Sequence, residues 1–370
     1  MKLTVSRKEL YEGLQIVTRA VSSTTTMPVL RNVLLEPGTD SIKLTATDLD
    51  LGLEALIPAR IDEPGSITVP ARTLTEIVAA LPDAEICLGA DDPGTLLLTC
   101  RRSQYRILGI GAEEFPALPE VSGDVAFTVT QSRFRTALRQ TVFAASTEEA
   151  RFQLTGVFLR LEGNQLRLVA TDSHRLAIRD LEVSEAAGEA SVIVPRRAMH
   201  ELERILAADS EEPLFVRLGQ NQALFRTSTV TLTTRLIEGQ FPAYERVIPS
   251  RWSRRLTLPR VEFEAVVRRA RIVARSSASG PNRVVLATHG ESLVVTAEAG
   301  DVGTAREEIE VVREGDEIEI AFNPDYLLDV AEVSPGEGLY LEMNEPLSPA
   351  VMRPVEDASY QVIIMPMQLL

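Results

Sequence analysis

Few residues in this chain have the types and spacing that chemistry requires. Asp48-Leu49-Asp50 could offer two carboxylates to a divalent metal, since such ions take oxygen ligands. The first of them, however, closes a Leu-Thr-Ala-Thr-Asp run that returns as Leu168-Val-Ala-Thr-Asp172, and a recurrent aspartate of this kind fits a turn or cap that satisfies local backbone. His200-Glu-Leu-Glu-Arg204 opens like a zinc-protease helix, but arginine stands where the second histidine ligand belongs. Gly109-Ile-Gly-Ala-Glu-Glu114 lacks the third glycine of a dinucleotide fingerprint. No Gly-Lys pair exists, so no phosphate loop of the Walker type can form. His174, His200 and His289 are the only histidines and lie in separate segments, with no nucleophile–base pair in view. Cys87 and Cys100 are too few for a disulfide framework or a multi-cysteine zinc site. Both sit in apolar, strand-like runs and are expected to be buried thiols. The chain therefore reads as a binding protein, with no catalytic residue, no metal and no cofactor.

Something must position the residues that bind, and the chain is long enough to build it. Its 370 residues suffice for two to three domains, and 45% hydrophobic with 25% charged residues is a soluble globular composition. No run approaches the roughly 18 apolar residues of a membrane span, and Met1-Lys-Leu-Thr-Val5 leads straight into a charged segment without the apolar core of a signal peptide. A cytoplasmic protein with no membrane partner is the expectation.

Internal repetition organises the chain. Leu44–Asp48 returns 124 residues later, Ile67-Thr-Val-Pro-Ala-Arg72 returns as Val192-Ile-Val-Pro-Arg-Arg197, and Phe115-Pro-Ala-Leu118 returns as Phe241-Pro-Ala-Tyr244. A fainter third copy runs from Leu256-Thr-Leu258 through Leu293-Val-Val-Thr-Ala297 to Ile318-Glu-Ile-Ala-Phe-Asn-Pro324. A period near 124 is too long for a solenoid unit, so the copies are whole domains: 1–124, 125–250 and 251–370. Pro249-Ser-Arg-Trp-Ser-Arg-Arg255 reads as a basic linker.

Each copy has the same grammar, a strand, an amphipathic helix, several strands, a second helix and more strands. The first helices are expected over roughly residues 6–20, 131–144 and 260–275. Their apolar stripes are Leu10, Leu14 and Val17; then Phe134, Leu138 and Val142; then Phe263, Val266, Val267, Ala270 and Val273. The second helices are expected over 70–81, 195–207 and 323–333, with Pro70 and Pro195 in the first turn. Two helices on strand-rich sheet, three times over, is an α+β architecture. These six segments carry fifteen basic against ten acidic residues, so they total +5 while the rest of a chain of net charge −15 totals −20. Arg135 and Arg139, Arg197 and Arg204, and Arg268, Arg271 and Arg275 recur at helical spacing beside the apolar stripes, which directs them to solvent or a partner. Basic helix faces in an acidic chain suit a polyanion held by its phosphates. No base-reading module accompanies them, so contact would be indifferent to sequence.

Thr171-Asp-Ser-His-Arg-Leu176, Val192-Ile-Val-Pro-Arg197, Gly239-Gln-Phe-Pro-Ala-Tyr-Glu-Arg-Val-Ile-Pro249 and Met365-Pro-Met367 together resemble the bacterial DNA polymerase III β-subunit family, the replicative sliding clamps. The resemblance spans the whole chain. It implies three tandem clamp domains, a head-to-tail homodimer closing a six-domain ring, and helices lining a hole that holds duplex DNA. It implies a non-catalytic processivity factor for the polymerase, opened by a separate ATP-driven clamp loader. The implied partners are the DNA polymerase III α subunit, the clamp loader complex, and other polymerases and repair proteins that carry clamp-binding peptides.

By the same resemblance a hydrophobic groove between the second and third domains captures those peptides. The matching residues are Leu154, Thr171, His174, Arg175, Leu176, Pro242, Arg246 and Val247, with Asn323, Tyr326, Ile364, Met365, Pro366 and Met367. Methionine and leucine would supply an adaptable apolar floor, and arginine and histidine donors at the rim. Implied DNA contacts are Arg72, Arg151, Phe152, Gln153 and Arg197, with Arg135, Arg139, Arg204, Arg268, Arg271 and Arg275 as general lining. Thr24 and Gln153 depart from basic and aromatic residues found in some members, and Glu148 adds a negative charge nearby. The implied dimer interface sets Tyr105 and Ile107 against Ile272 and Val273, with Arg102 near Glu298 or Glu308. Two other readings compete: a metal-dependent enzyme acting on a sugar or phosphate through Asp48 and Asp50, and a scaffold of tandem domains that never meets DNA.

Overall fold

The computed structural model describes residues 1–22, 24–92, 94–276 and 282–369. The repeat grammar holds throughout. Helices α1 (Arg7–Val17), α2 (Ala71–Ala80), α3 (Gln131–Thr141), α4 (Arg196–Ile205), α5 (Arg260–Ser276) and α6 (Pro324–Val333) supply two helices to each copy. Ser6 caps helix α1: its Oγ accepts from Glu9 N at 3.1 Å and donates to the Glu9 carboxylate at 2.7 Å. Its stripe Leu10, Leu14 and Val17 is fully buried. A Cβ at Gly13 would stand 2.9 Å from Leu44 and 3.0 Å from Ile57, so glycine lets this helix lie close on the sheet. Pro70 and Pro195 end the strands Ile67–Pro70 and Ala190–Pro195 rather than entering the helices, whereas Pro324 occupies the first turn of α6. The first helices of copies one and two also end three residues early, the chain passing into the 3-10 turns Thr18–Ala20 and Val142–Ala144.

Among the described residues the strands form four antiparallel sheets. Each copy makes one five-stranded and one four-stranded set, and sets from successive copies join edge to edge. The five of copy two meet the four of copy one where Val230–Arg235 pairs with Leu51–Pro58, from Val230↔Ala55 to Thr234↔Leu51. The five of copy three meet the four of copy two where Tyr360–Ile364 pairs with Arg175–Glu182, from Arg175↔Ile364 to Arg179↔Tyr360. Both unions have nine strands. The five-stranded set of copy one and the four-stranded set of copy three are left over, and Ser103–Leu108 and Gly303–Glu310 form their outer edges. Contacts gather the chain into two compact units. One comprises Met1–Phe134, Ser184–Gly188 and Arg197–Leu236; the other comprises Arg135–Val183, Glu189–Arg196 and Ile237–Leu370. The middle copy is shared because each of its sheets continues into a neighbour.

Two expectations fail locally. Cys100 is buried, but Cys87 is exposed, because strand Glu85–Asp92 buries Ile86 and Leu88 on its other face. Residues 249–255 are no loose linker. Ser253 N donates to Met343 O at 3.2 Å, and the Arg255 guanidinium lies between the Trp252 ring, 3.9 Å away, and the Tyr340 ring, 4.5 Å away. Glu342, only 8% exposed at its side chain, accepts from Arg255 at 2.7 Å and from Arg353 at 2.9 Å. Removing one carboxylate would strand two half-buried cations, so Glu342→Ala is expected to cost about 3 kcal/mol in urea unfolding. A loss below about 1 kcal/mol would mean the cluster behaves as an ordinary surface pair.

Candidate functional site

A tight turn builds one wall of a mainly apolar recess in the second unit. Thr171 Oγ1 donates to Arg175 O at 2.6 Å and accepts from Ser173 N at 3.1 Å. Asp172 Oδ1 accepts from His174 N at 2.9 Å and Arg175 N at 3.0 Å. These bonds hold Ser173 at φ +79°, a left-handed conformation that a side chain adopts only under such constraint. The opposite wall is Pro242, Ala243, Tyr244 and Val247, and Leu154, Ile363 and Met365 complete a cavity of about 220 Å³. The last strand leads the tail past it: Met365 N donates to His174 O at 2.8 Å and Met367 N to Ala321 O at 2.7 Å.

Seven residues expected in the groove line this cavity: Leu154, Thr171, Arg175, Leu176, Pro242, Val247 and Met365. His174 and Arg246 are exposed beside it, and Pro366 and Met367 are half-buried along the tail. Ile364 is fully buried; side chains alternate along a strand, so Ile363 faces the cavity instead. Asn323 caps helix α6, accepting from Asp325 N at 3.0 Å. Ser173, Ala243, Tyr244 and Ile363 were missed, although Tyr244 stands in the Phe-Pro-Ala landmark itself.

Arg175 is not a rim donor. Its guanidinium is committed to Asp172 at 3.1 Å, to Asp329 and to Phe143 O at 2.8 Å, with its face 4.5 Å from the Tyr326 ring. It ties the turn to helix α6. Burial pushes the Asp329 carboxyl above its ordinary value despite Arg175, and burial likewise raises the Tyr326 hydroxyl.

The first unit contains the same turn, closed. Thr47 Oγ1 donates to Leu51 O at 3.0 Å, Asp48 Oδ1 accepts from Asp50 N and Leu51 N, and Leu49 sits at φ +82°. Arg235 N donates to Asp50 O at 2.9 Å, as Met365 N does to His174 O. Asp48 is thus a turn cap whose carboxylate also binds Arg197, and among the described residues no cluster of three His, Cys, Asp or Glu could hold a metal. Where Leu176 opens the second recess, Gly52 admits Leu118, whose Cδ2 lies 2.7 Å from where a Cβ would project. Only about 10 Å³ remains.

The basic helix faces hold carboxylates of their own. Arg268 binds Glu264 at 2.6 Å and Glu332 at 2.8 Å; Arg271 and Arg275 share Asp325, at 2.6 and 3.9 Å. Arg204 binds Glu201 at 3.7 Å, and Arg197 donates to Arg19 O at 3.0 Å besides holding Asp48. Arg72, Arg139, Phe152 and Gln153 are exposed and Arg135 half-buried. Arg151 is exposed over the Thr171–Arg175 turn, and Glu148 lies 3.4 Å from its Nε.

On the leftover edge strand Ser103–Leu108, Tyr105 is exposed but Ile107 is 7% exposed and belongs to the buried core; the other two interface residues expected, Ile272 and Val273, lie on helix α5. Leu108, next to Ile107 and on the opposite face, is 72% exposed and was not anticipated. Ile272 is 68% exposed and Val273 half-buried. Glu308 already binds Arg306 at 3.0 Å, so it is not held ready for Arg102. Among the described residues no helix is long and apolar enough to cross a membrane.

Known proteins carry the same arrangement. Models of the DNA polymerase III beta subunit match end to end: its N-terminal domain over residues 1–119, its central domain over 128–243 and its C-terminal domain over 245–368. The chain is 35% identical to the beta sliding clamp of Synechococcus elongatus and 34% identical to that of a Synechocystis species, covering all of each. The solved sliding clamp of Bacillus subtilis superimposes with a TM-score of 0.94 at 30% identity. That of Pseudomonas aeruginosa bound to griselimycin does so with 0.93 at 33%, both over the full lengths. With three clamp domains in tandem and matches over its whole length, the chain belongs to the bacterial DNA polymerase III β-subunit family of sliding clamps.

Proposed function

We propose that two copies of this chain pair head to tail into a ring that encircles duplex DNA and tethers the replicative polymerase to it. The family supplies the activity: a processivity factor, not an enzyme. The observation that carries ring closure is the arithmetic of the sheets. Both internal joins unite a five-stranded with a four-stranded set, and the unpaired edges Ser103–Leu108 and Gly303–Glu310 belong to the remaining five and four. Pairing them between copies would make a third nine-stranded sheet like the two internal unions and cover both of these edges. Arg106 on one edge and Glu310 on the other are opposite in charge, while Glu307 and Glu308 are already bound by Arg269 and Arg306. With domains of 1–124, 125–250 and 251–370, each internal join pairs a strand of one domain with a strand of the next.

DNA would meet Arg72, Arg135, Arg139, Arg151, Phe152, Gln153, Arg197 and Arg204, with Arg268, Arg271 and Arg275. Carboxylates already satisfy most of these cations, so a phosphate displaces a partner rather than filling a vacancy, and each contact is weak. Sliding needs weak contacts, and the closed ring supplies retention. The cavity at Leu176 and Met365 takes apolar side chains of peptides from the polymerase α subunit, the clamp loader and repair proteins in the cytoplasm. Its apolar walls and the recess beside the tail support that role. Primer extension with the cognate polymerase and loader tests the assignment: adding the chain should lengthen the product of each binding event. Products of unchanged length would remove it.

A further inference from the structure

Arg151 sits where two ligands would meet. Its Nη1 donates to Ser173 Oγ at 2.8 Å and to Asp172 O at 3.2 Å. Ser173 lines the apolar cavity and holds φ +79°, so a side chain outside the cavity fastens one of its walls. The Arg151 side chain is itself 44% exposed, with Glu148 alongside at 3.4 Å, and an anion can reach it. The closed copy of the turn is an internal control. There Leu49 replaces Ser173 and offers no hydroxyl, Leu118 fills the space, and Arg197 holds the Asp48 carboxylate instead. The open cavity has an arginine strapped across its turn; in the closed copy Leu118 fills the recess.

We propose that Arg151 is a positioning residue of the groove, and that a DNA phosphate competes with the groove wall for its guanidinium. The proposal rests on the clamp reading of both surfaces and deepens it. A phosphate oxygen is a stronger acceptor for arginine than a neutral hydroxyl or carbonyl. A phosphate that draws the guanidinium away leaves Ser173 without its strap, and the wall relaxes. Duplex DNA and a groove ligand then weaken one another, by equal factors because the coupling is reciprocal.

The test titrates griselimycin, the ligand bound in a solved relative, into the full-length protein with and without a saturating short blunt duplex at low salt. For the wild type, the duplex is expected to weaken griselimycin about three- to tenfold, as loss of one or two modest hydrogen bonds would. Arg151→Ala should weaken it by a similar factor without DNA and abolish the further effect of the duplex. Arg151→Lys, which keeps the charge but not the two-pronged geometry, should fall between. Thermal unfolding of each variant checks that the exposed substitution leaves the fold intact. Equal duplex effects in wild type and Arg151→Ala would overturn the competition, and unchanged affinity in Arg151→Ala would overturn the positioning role. If griselimycin fails to bind the wild type, the groove reading falls and the proposal falls with it.

Discussion

Deleting the chain from Met365 onward should abolish capture of griselimycin and leave the dimer intact. Met365 lines the cavity, its N–H holds the carbonyl of His174, and Met367 is bridged to Ala321. The deletion therefore removes part of the cavity lining, one bond to the Thr171–Arg175 turn and the tie to strand Glu319–Phe322. It spares Tyr360–Ile364, whose pairing with Arg175–Glu182 carries the joint and whose Ile363 and Ile364 stay in the core. Losing such a central apolar anchor costs on the order of 3 kcal/mol, roughly a hundredfold in affinity. Isothermal titration reads the loss, and sedimentation reads the dimer. Capture retained within a few-fold would place the ligand elsewhere.

The second large effect concerns closure. Leu108→Asp combined with Ile272→Asp should convert the dimer to monomers. Both side chains are about two-thirds or more exposed in the single chain, so neither change disturbs its own core. Across a joined edge Leu108 would lie beside the partner's strand and Ile272, on helix α5, beside the partner's chain, and an unpaired carboxylate buried in an interface costs several kcal/mol. Two of them should raise the dimer dissociation constant by about a thousandfold or more. Arg204→Glu, on helix α4 and outside both edge strands in the sequence, serves as the charge control and should remain dimeric. A double variant that still sediments as a dimer would refute pairing at these edges.

What the sequence disclosed was what repeats and periods encode. The Leu-Val-Ala-Thr-Asp172 landmark marked the repeat, and the buried stripes of α1, α3 and α5 followed from spacing alone because one helix face must be apolar. Sharing of the middle copy between two units was invisible, since it depends on pairing between strands far apart in sequence. Spacing placed the arginines beside the stripes but could not show Asp325 under Arg271 or Asp329 under Arg175, because those acids lie on another helix. The exchange of Ile364 for Ile363 is a one-residue shift, which on a strand turns a groove residue into a core residue. Motifs pointed to residues that line the recess; packing decided which side chains could face it.

Retention on DNA is expected to be topological. Its most direct measurement is the fraction of protein held on closed circular plasmid after loading with a clamp loader and ATP, then on the same plasmid cut once, at moderate and high salt. Retention on the circle at high salt with loss from the linear form is the predicted result, because a ring leaves only by a free end. Equal loss from both forms, rising with salt alone, would contradict it and make the protein an electrostatic DNA binder.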